Sequence, residues 1–220
     1  MFKKLLPLFF PAYLFFVGLN CCAGTTGAVV SQHSLYAGAL GGFGSTTWNG
    51  LVPAKENQNM ALVLSTPLQV REGGLVWGLF TGFEFSPYFA VEAGYMKYPE
   101  AKVYFDTMSL FSFNNNGLHV LNTQTETVNL MGKIMLVIPN SKIRVFSSAG
   151  IAEVHRKDFL IDQWLLSPTF GVGFNFRLTD HLMSEIGGNY TAGFGDSQLE
   201  PTSSYIPFLY SASIRLAYIF

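Results

Sequence analysis

From residue 34 onward, large apolar side chains recur at every second position, and charged residues in the same stretches fall on the opposite parity. Within 75–85 the odd positions are Leu75, Trp77, Leu79, Thr81, Phe83 and Phe85, while the even ones include Gly78, Gly82 and Glu84. Within 170–176, Phe170, Val172, Phe174 and Phe176 alternate with Gly171, Gly173 and Asn175. At the end of the chain Ala212, Ile214, Leu216, Tyr218 and Phe220 alternate with Ser211, Ser213, Arg215 and Ala217. A period of two is the signature of β-strands with two unlike faces.

The charges decide which face meets which solvent. Parity sets Glu84, Glu92, Lys133, Arg144, Arg177, Glu185 and Arg215 opposite the large apolar residues. A soluble sandwich or lipocalin turns its apolar face inward. That needs charges outside, yet only 12% of this chain is charged while 49% is hydrophobic, against about 25% charged in an ordinary soluble domain. With the apolar face outward in lipid, a basic residue on that face would cost roughly 2–4 kcal/mol at the midplane. Two or three such placements would remove much of a stability of about 5–15 kcal/mol. The seven charges are therefore expected inside a barrel as a network, three acids against four bases. Asn129, Asn175, Asn189 and Ser148 supply further hydrogen-bonding capacity there. The net charge of -1 excludes a strongly basic nucleic-acid binder.

Eight alternating segments lie near 34–48, 75–85, 89–98, 125–138, 142–156, 164–177, 181–191 and 206–220. Tight turns at 86–88, 139–141 and 179–180 alternate with longer connections after Trp48, Tyr98, Arg156 and Thr191. Short turns on one side and long loops on the other mark an all-β, eight-stranded antiparallel up-and-down barrel in an outer membrane. On this topology the regions 49–73, 99–124, 157–163 and 192–205 face outside the cell. The turn signal Asn114-Asn115-Asn116-Gly117 implies that the third and fourth strands extend past the bilayer and meet there; ten strands is the competing count. Phe85, Phe89, Phe176 and Phe220 fall at the short-turn side, and Trp77, Tyr95, Trp164, Tyr190 and Tyr210 nearer the long loops, as two interfacial belts require. Eight strands leave an interior just filled by side chains, which disfavours a wide aqueous pore.

The start of the chain reads differently. Lys3 and Lys4 precede an apolar run over 5–19, and small residues lead to Ala23. Residues 1–23 are expected to be a cleaved export signal, since fifteen residues are short for a spanning helix and Pro7 and Pro11 interrupt them. Both cysteines, Cys21 and Cys22, sit at this boundary, so the barrel (34–220) has no disulfide or thiolate chemistry. Lipidation at Cys21 or Cys22 is the alternative processing. After residue 24 no apolar stretch reaches the roughly 18 residues of a membrane helix.

No catalytic, cofactor or metal motif stands out. His33, His119, His155 and His181 have no partner at metal-ligand spacing. Gly38, Gly41, Gly42 and Gly44 lack the phosphate-loop pattern and sit within a strand. Glu153 and His155, with Asp158 and Asp162 following, read more readily as a solvated rim than a cation site. Ser147, Glu153 and His155 share one strand face, but i, i+2 neighbours are roughly 7 Å apart, too far for a nucleophile and its base. The expectation is a protein that is not an enzyme and carries no cofactor.

The chain resembles the eight-stranded OmpA-like transmembrane domain in its small, stand-alone form. The resemblance rests on Leu35-Tyr36-Ala37-Gly38-Ala39, on the stretch 82–95 across the first turn, and on Leu130-Met131-Gly132-Lys133 with Ala149-Gly150-Ile151-Ala152. It also rests on Pro168-Thr169-Phe170-Gly171-Val172-Gly173 and the terminal Tyr218-Ile219-Phe220. It implies an interior charge cluster at Glu84, Glu92, Lys133 and Arg215, with Leu40 departing from a polar interior position. It also implies an assembly signal at Tyr218 and Phe220, read by the barrel assembly machinery. The last strand ends the sequence, so the cell-wall tethering of longer relatives is not implied. The expected partners are outer-membrane lipid and lipopolysaccharide, with an unidentified extracellular ligand and no nucleic acid. The expected role is structural: membrane integrity and presentation of surface loops, for adhesion or host contact. A small hydrophobic-compound channel and a lipid-modifying enzyme are the alternatives.

Overall fold

Each alternating segment forms a strand, and the strands close into a ring. The computed structural model describes residues 33–48, 67–193 and 205–220. The expected leader with Cys21 and Cys22, and most of the first and last long loops, lie outside the described residues. The elements are β1 (Ser34–Thr46), β2 (Gln69–Arg71), β3 (Gly74–Ser86), β4 (Phe89–Lys97), β5 (Ala101–Tyr104), α1 (Leu110–Asn114), β6 (Val120–Val137), β7 (Ile143–Lys157), β8 (Asp162–Arg177), β9 (Leu182–Thr191) and β10 (Leu209–Ile219). β1 pairs with both β3 and β10, and the antiparallel ladders β3–β4, β4–β6, β6–β7, β7–β8, β8–β9 and β9–β10 complete the circle. Eight strands close the barrel. β2 and β5 stand outside the ring, adding to the first residues of β6 as a flap in which Ala101 pairs with Thr123 and Val70 with Val103.

Two connections differ from their sequence reading. The run Asn114-Asn115-Asn116-Gly117 does not form a two-residue hairpin but terminates α1. Asn115 donates to the Phe111 carbonyl from its backbone N and from Nδ2, at 3.1 and 2.8 Å. Asn116 and Gly117 then adopt φ of 54° and 81°, which stops a helix because α-helical φ is negative. The connection after Arg156 is short: the β7–β8 ladder continues to Lys157 opposite Asp162. Asp158 closes the turn by accepting from Leu160 N and Ile161 N at 2.9 and 3.1 Å, the usual role of aspartate in turns.

The two faces separate cleanly. Leu79, Leu130, Ile151, Phe170, Val172, Ile186 and Leu216 are exposed on the outer surface, while Tyr36, Leu40, Phe80, Met96, Met183 and Ile219 pack inside. Leu40 belongs to this inner apolar cluster, which explains why no polar residue is needed there. At the short-turn end Phe83, Phe85 and Phe89 contact in succession at 4.9 and 5.8 Å. At the long-loop end Trp77 meets Tyr95 at 5.9 Å and Tyr190 meets Phe208 at 6.0 Å. Among the described residues no helix is long and apolar enough to cross a membrane. A closed barrel satisfies every ladder hydrogen bond and crosses with strands instead. Above the barrel mouth Trp48, Ala101, Val103, Phe105, Leu121 and Tyr205 form a second core, against which Val70 and Phe111 pack.

Arginine at Val172, 62% exposed on the outer face of β8, is expected to destabilise the barrel by about 2–4 kcal/mol in lipid vesicles. Arginine at Asn122, on the extension of β6, should stay within about 0.5 kcal/mol. Urea titrations of the two variants check the difference.

Candidate functional site

Six strands each send one inward charge to the short-turn half of the lumen: Glu84 from β3, Glu92 from β4, Lys133 from β6, Arg144 from β7, Glu185 from β9 and Arg215 from β10. All six are buried. Register brings four polar residues into one continuous cross-strand row: Arg215 opposite Glu185, Glu185 opposite Asn175, and Asn175 opposite Arg144. β8 contributes the neutral Asn175 to this row, which links two ion clusters.

In the first cluster Lys133 Nζ donates to Glu185 Oε1 at 2.5 Å and reaches Glu92 Oε2 at 3.5 Å. Arg215 Nη2 bonds Glu92 Oε1, and its Nη1 lies 2.9 Å from Glu185 Oε2. Tyr36 donates its hydroxyl to Glu92 Oε2 at 3.1 Å. In the second cluster Arg144 grips Glu84 with two bonds, Nη2 to Oε1 at 2.6 Å and Nη1 to Oε2 at 3.2 Å. Its Nε and Nη2 also donate to Asn175 Oδ1 at 3.1 and 2.9 Å, while Asn175 Nδ2 donates to Glu185 Oε1 at 2.6 Å. Three acids thus meet three bases. Aromatic faces close the ends: Lys133 Nζ lies 4.1 Å from the Phe146 centroid and Arg215 Cζ 3.8 Å from that of Phe80, within cation–π range.

Two glycine positions make room for this layer. A Cβ at Gly82 would stand 2.9 Å from Tyr36 Cε2, and one at Gly173 would stand 2.7 Å from Phe146 Cζ. Both rings lie against bare backbone. Arg177 stands apart at the short-turn end of β8, half-buried and joined to none of the three acids among the described residues. Tyr218 and Phe220 are exposed on the outer face, in edge contact at 5.1 Å, and Phe220 N bonds the Leu35 carbonyl at 2.9 Å.

Toward the long-loop end hydroxyls replace charges inside the lumen, with Thr125, Thr127, Ser167, Thr169, Thr191, Ser211 and Ser213 all buried. Above them a group absent from the sequence reading closes the mouth. Arg156, fully buried, donates Nε to Asp158 Oδ2 at 2.8 Å and Nη1 to the Tyr205 carbonyl at 2.5 Å, with its guanidinium 4.7 Å from the Trp48 ring. Glu72 accepts from Trp48 N at 2.7 Å and from Thr46 Oγ1 at 3.1 Å. The signal was available: Arg156 shares the inward parity of Arg144 along β7.

The residues that share the outward face of β7 lie apart. Ser147 pairs with Ile134 and Val172, whereas His155 pairs with Glu126 and Trp164, so no nucleophile and base meet on β7. Among the described residues no group of three or more His, Cys, Asp or Glu side chains is placed to hold a metal ion.

Breaking a buried ion pair by removing one partner typically costs about 3–5 kcal/mol, because the other charge stays buried and unpaired. Arg215→Met leaves Glu92 and Glu185 sharing Lys133 alone and is expected to destabilise in that range. Adding Glu92→Gln should return a substantial part of the loss, measured by urea unfolding in vesicles.

The OmpA-like transmembrane domain family model matches residues 31–220. OprG, an outer membrane protein of Pseudomonas aeruginosa, aligns at 12% identity over 85% of this chain and 96% of its own, with a TM-score of 0.51. Neisserial surface protein A aligns at 11% identity over 86% and 98%, with a TM-score of 0.49. Ail, the attachment invasion locus protein of Yersinia pestis, aligns at 11% over 86% and 97%, with a TM-score of 0.40. No curated protein matches the chain significantly. The family match covers the whole ring of strands, and with the apolar outer band and charged interior it makes this an integral protein of the bacterial outer membrane: the chain belongs to the OmpA-like transmembrane domain family.

Proposed function

We propose that this barrel is a sealed membrane scaffold that holds a folded loop platform outside the cell for contact with a ligand there. The observation that carries the reading is a lumen filled by paired charges beneath a second, loop-built core. Exposed binding segments gain precision when a rigid scaffold carries them. The flap of β2 and β5 with α1 is such a segment: Phe105 stacks on Phe111 at 3.9 Å, and Phe111 meets Phe159 at 5.9 Å from the β7–β8 turn. In this reading the outer apolar band and the aromatic belts contact outer-membrane lipid and lipopolysaccharide. The interior charges fill the lumen and fix strand register; they do not serve transport.

Pure protein in planar bilayers is expected to give no large, stable single-channel conductance; such conductance would overturn the sealed scaffold. On intact cells, protease should cut at exposed Arg71 or Lys102 and spare the turn at 139–142. Cleavage confined to 139–142 would invert the topology and place the platform inside.

We further propose that the barrel assembly machinery reads Tyr218 and Phe220. Both face outward beside the seam where β10 closes on β1, with Ala37 opposite Tyr218. Deleting Phe220 should lower folded protein in the outer membrane several-fold, while refolding of the purified chain into detergent stays near normal. Normal cellular levels of the truncated barrel would leave only an interfacial anchor.

A further inference from the structure

On the outer face of β7 the apolar band ends at Ile151, and Glu153, His155 and Lys157 follow at outward positions. On β6, Glu126, Gln124 and Asn122 likewise continue the face that carries Val128 and Leu130. His155 therefore stands on a part of the barrel that projects past the apolar band. Its ring has a carboxylate on each side. Nδ1 lies 2.9 Å from Glu126 Oε1 on β6, and Nε2 lies 2.6 Å from Asp162 Oδ1 at the start of β8. One ring face stacks on Trp164, with centroids 4.3 Å apart and planes 4° from parallel.

With both carboxylates ionised, the donor count selects one protonation state of the ring for this arrangement. An ionised carboxylate only accepts, and a neutral imidazole has one N–H to give. Two short bonds to two carboxylates therefore need a ring with a proton on each nitrogen. The stacked indole suits that state too, because its face attracts a cation. Both carboxylates have further partners. From β4, Tyr95 donates to Glu126 Oε2 at 2.6 Å, and Lys97 pairs in register with Glu126. From β7 itself, Lys157 Nζ lies 3.4 Å from Asp162 Oδ2, and Glu153 is the next outward residue toward the membrane.

We infer that His155 is a proton-dependent latch, holding the β7–β8 turn to the barrel wall while its ring is doubly protonated and releasing one of its two carboxylates when the ring becomes neutral. The turn it holds carries the mouth closure. Asp158, within the turn, anchors both the backbone of Leu160 and Ile161 and the guanidinium of Arg156. Asp162, the residue after the turn, is the one gripped by His155. The linkage runs in one direction: the latch is complete at the lower pH and is lost as pH rises through the titration of the folded ring. A neutral ring keeps at most one donor bond, so either the link to β6 or the link to β8 opens.

The test is histidine titration by long-range nitrogen–proton spectroscopy on the full labelled chain in detergent micelles, with His155 signals identified by their loss in His155→Asn. The doubly protonated pattern is expected near neutral pH. In Glu126→Gln with Asp162→Asn the midpoint should fall by about one unit or more, a tenfold loss of proton affinity, with smaller falls in the single variants. Exchange protection of the Leu160 and Ile161 amides, corrected for intrinsic rate, should drop several-fold across the same interval in the parent and be independent of pH in His155→Asn. The single variants keep the test readable if the double variant fails to fold. A neutral ring at neutral pH overturns the latch, as does a midpoint that ignores both carboxylates. Turn protection indifferent to pH in the parent would also overturn it.

Discussion

Across the apolar band this barrel has nowhere outside to put a charge, and the interior is built on that constraint. Lipid surrounds the spanning strands, so ionised side chains there must turn inward. An eight-stranded lumen is too narrow to hydrate them freely, so they must also pair. Lys133 and Arg215 sit between Glu92 and Glu185, and Arg144 grips Glu84. Because the side-chain period is two, slipping a strand by one residue would turn its charge outward and its apolar set inward. The pairing and the register therefore enforce each other. The cross-strand row Arg215, Glu185, Asn175 and Arg144 is the plainest case, since four strands must be in step for it to exist.

Balance also explains the neutral member of that row. A fourth cation on β8 at the level of Asn175 would face three acids already matched by three bases. Asn175 instead accepts from Arg144 and donates to Glu185, so it serves both clusters without a charge of its own. Arg177, two residues on, carries its charge half-buried at the short-turn end of β8, outside both clusters. Replacing a whole buried pair by apolar residues is often neutral, whereas removing one partner is costly, so the network penalises any arrangement that separates its members. Here that specificity is one strand order and one register.

The spanning part of this arrangement was legible from parity alone, because lipid outside makes the alternation of β3, β8 and β10 extreme. The region above the membrane was not, and β6 shows why. From 128 to 136 its outward residues are Val128, Leu130, Ile134 and Leu136. From 122 to 126 they are Asn122, Gln124 and Glu126, while Leu121 is buried with Ala101 and Val103 of β5. Water has replaced lipid on the outer face, so that face turns polar and the apolar Leu121 lies on the buried side. A pattern sought with one polarity throughout loses contrast at that change, which is why eight and ten strands compete in the sequence reading. Arg156 was missed for a related reason. Its inward parity was visible, but its partners Trp48, Asp158 and Tyr205 come from three separate connections, and no spacing in the sequence announces that meeting.

The same change of polarity draws the water boundary on the barrel wall. It falls between Val128 and Glu126 on β6 and between Ile151 and Glu153 on β7, with Trp164 between Leu166 and Asp162 on β8. On β1, β3 and β10 no such change occurs: Phe43, Leu75 and Tyr210, at or near the long-loop ends of these strands, are still apolar or aromatic and exposed. On β4 the outward Lys97, opposite Glu126, follows Tyr95, so among the described residues the wall rises past the membrane along the end of β4 and along β6, β7 and β8. β5 can add to β6 there because its partner edge is already clear of lipid, and a flap at that height can bury Leu121 and Val103 against water. A strand pair projecting alone would be a marginal hairpin. The second core, the Asp158 turn and the His155 contacts to β6 and β8 give the raised side the support that lipid gives the rest of the barrel.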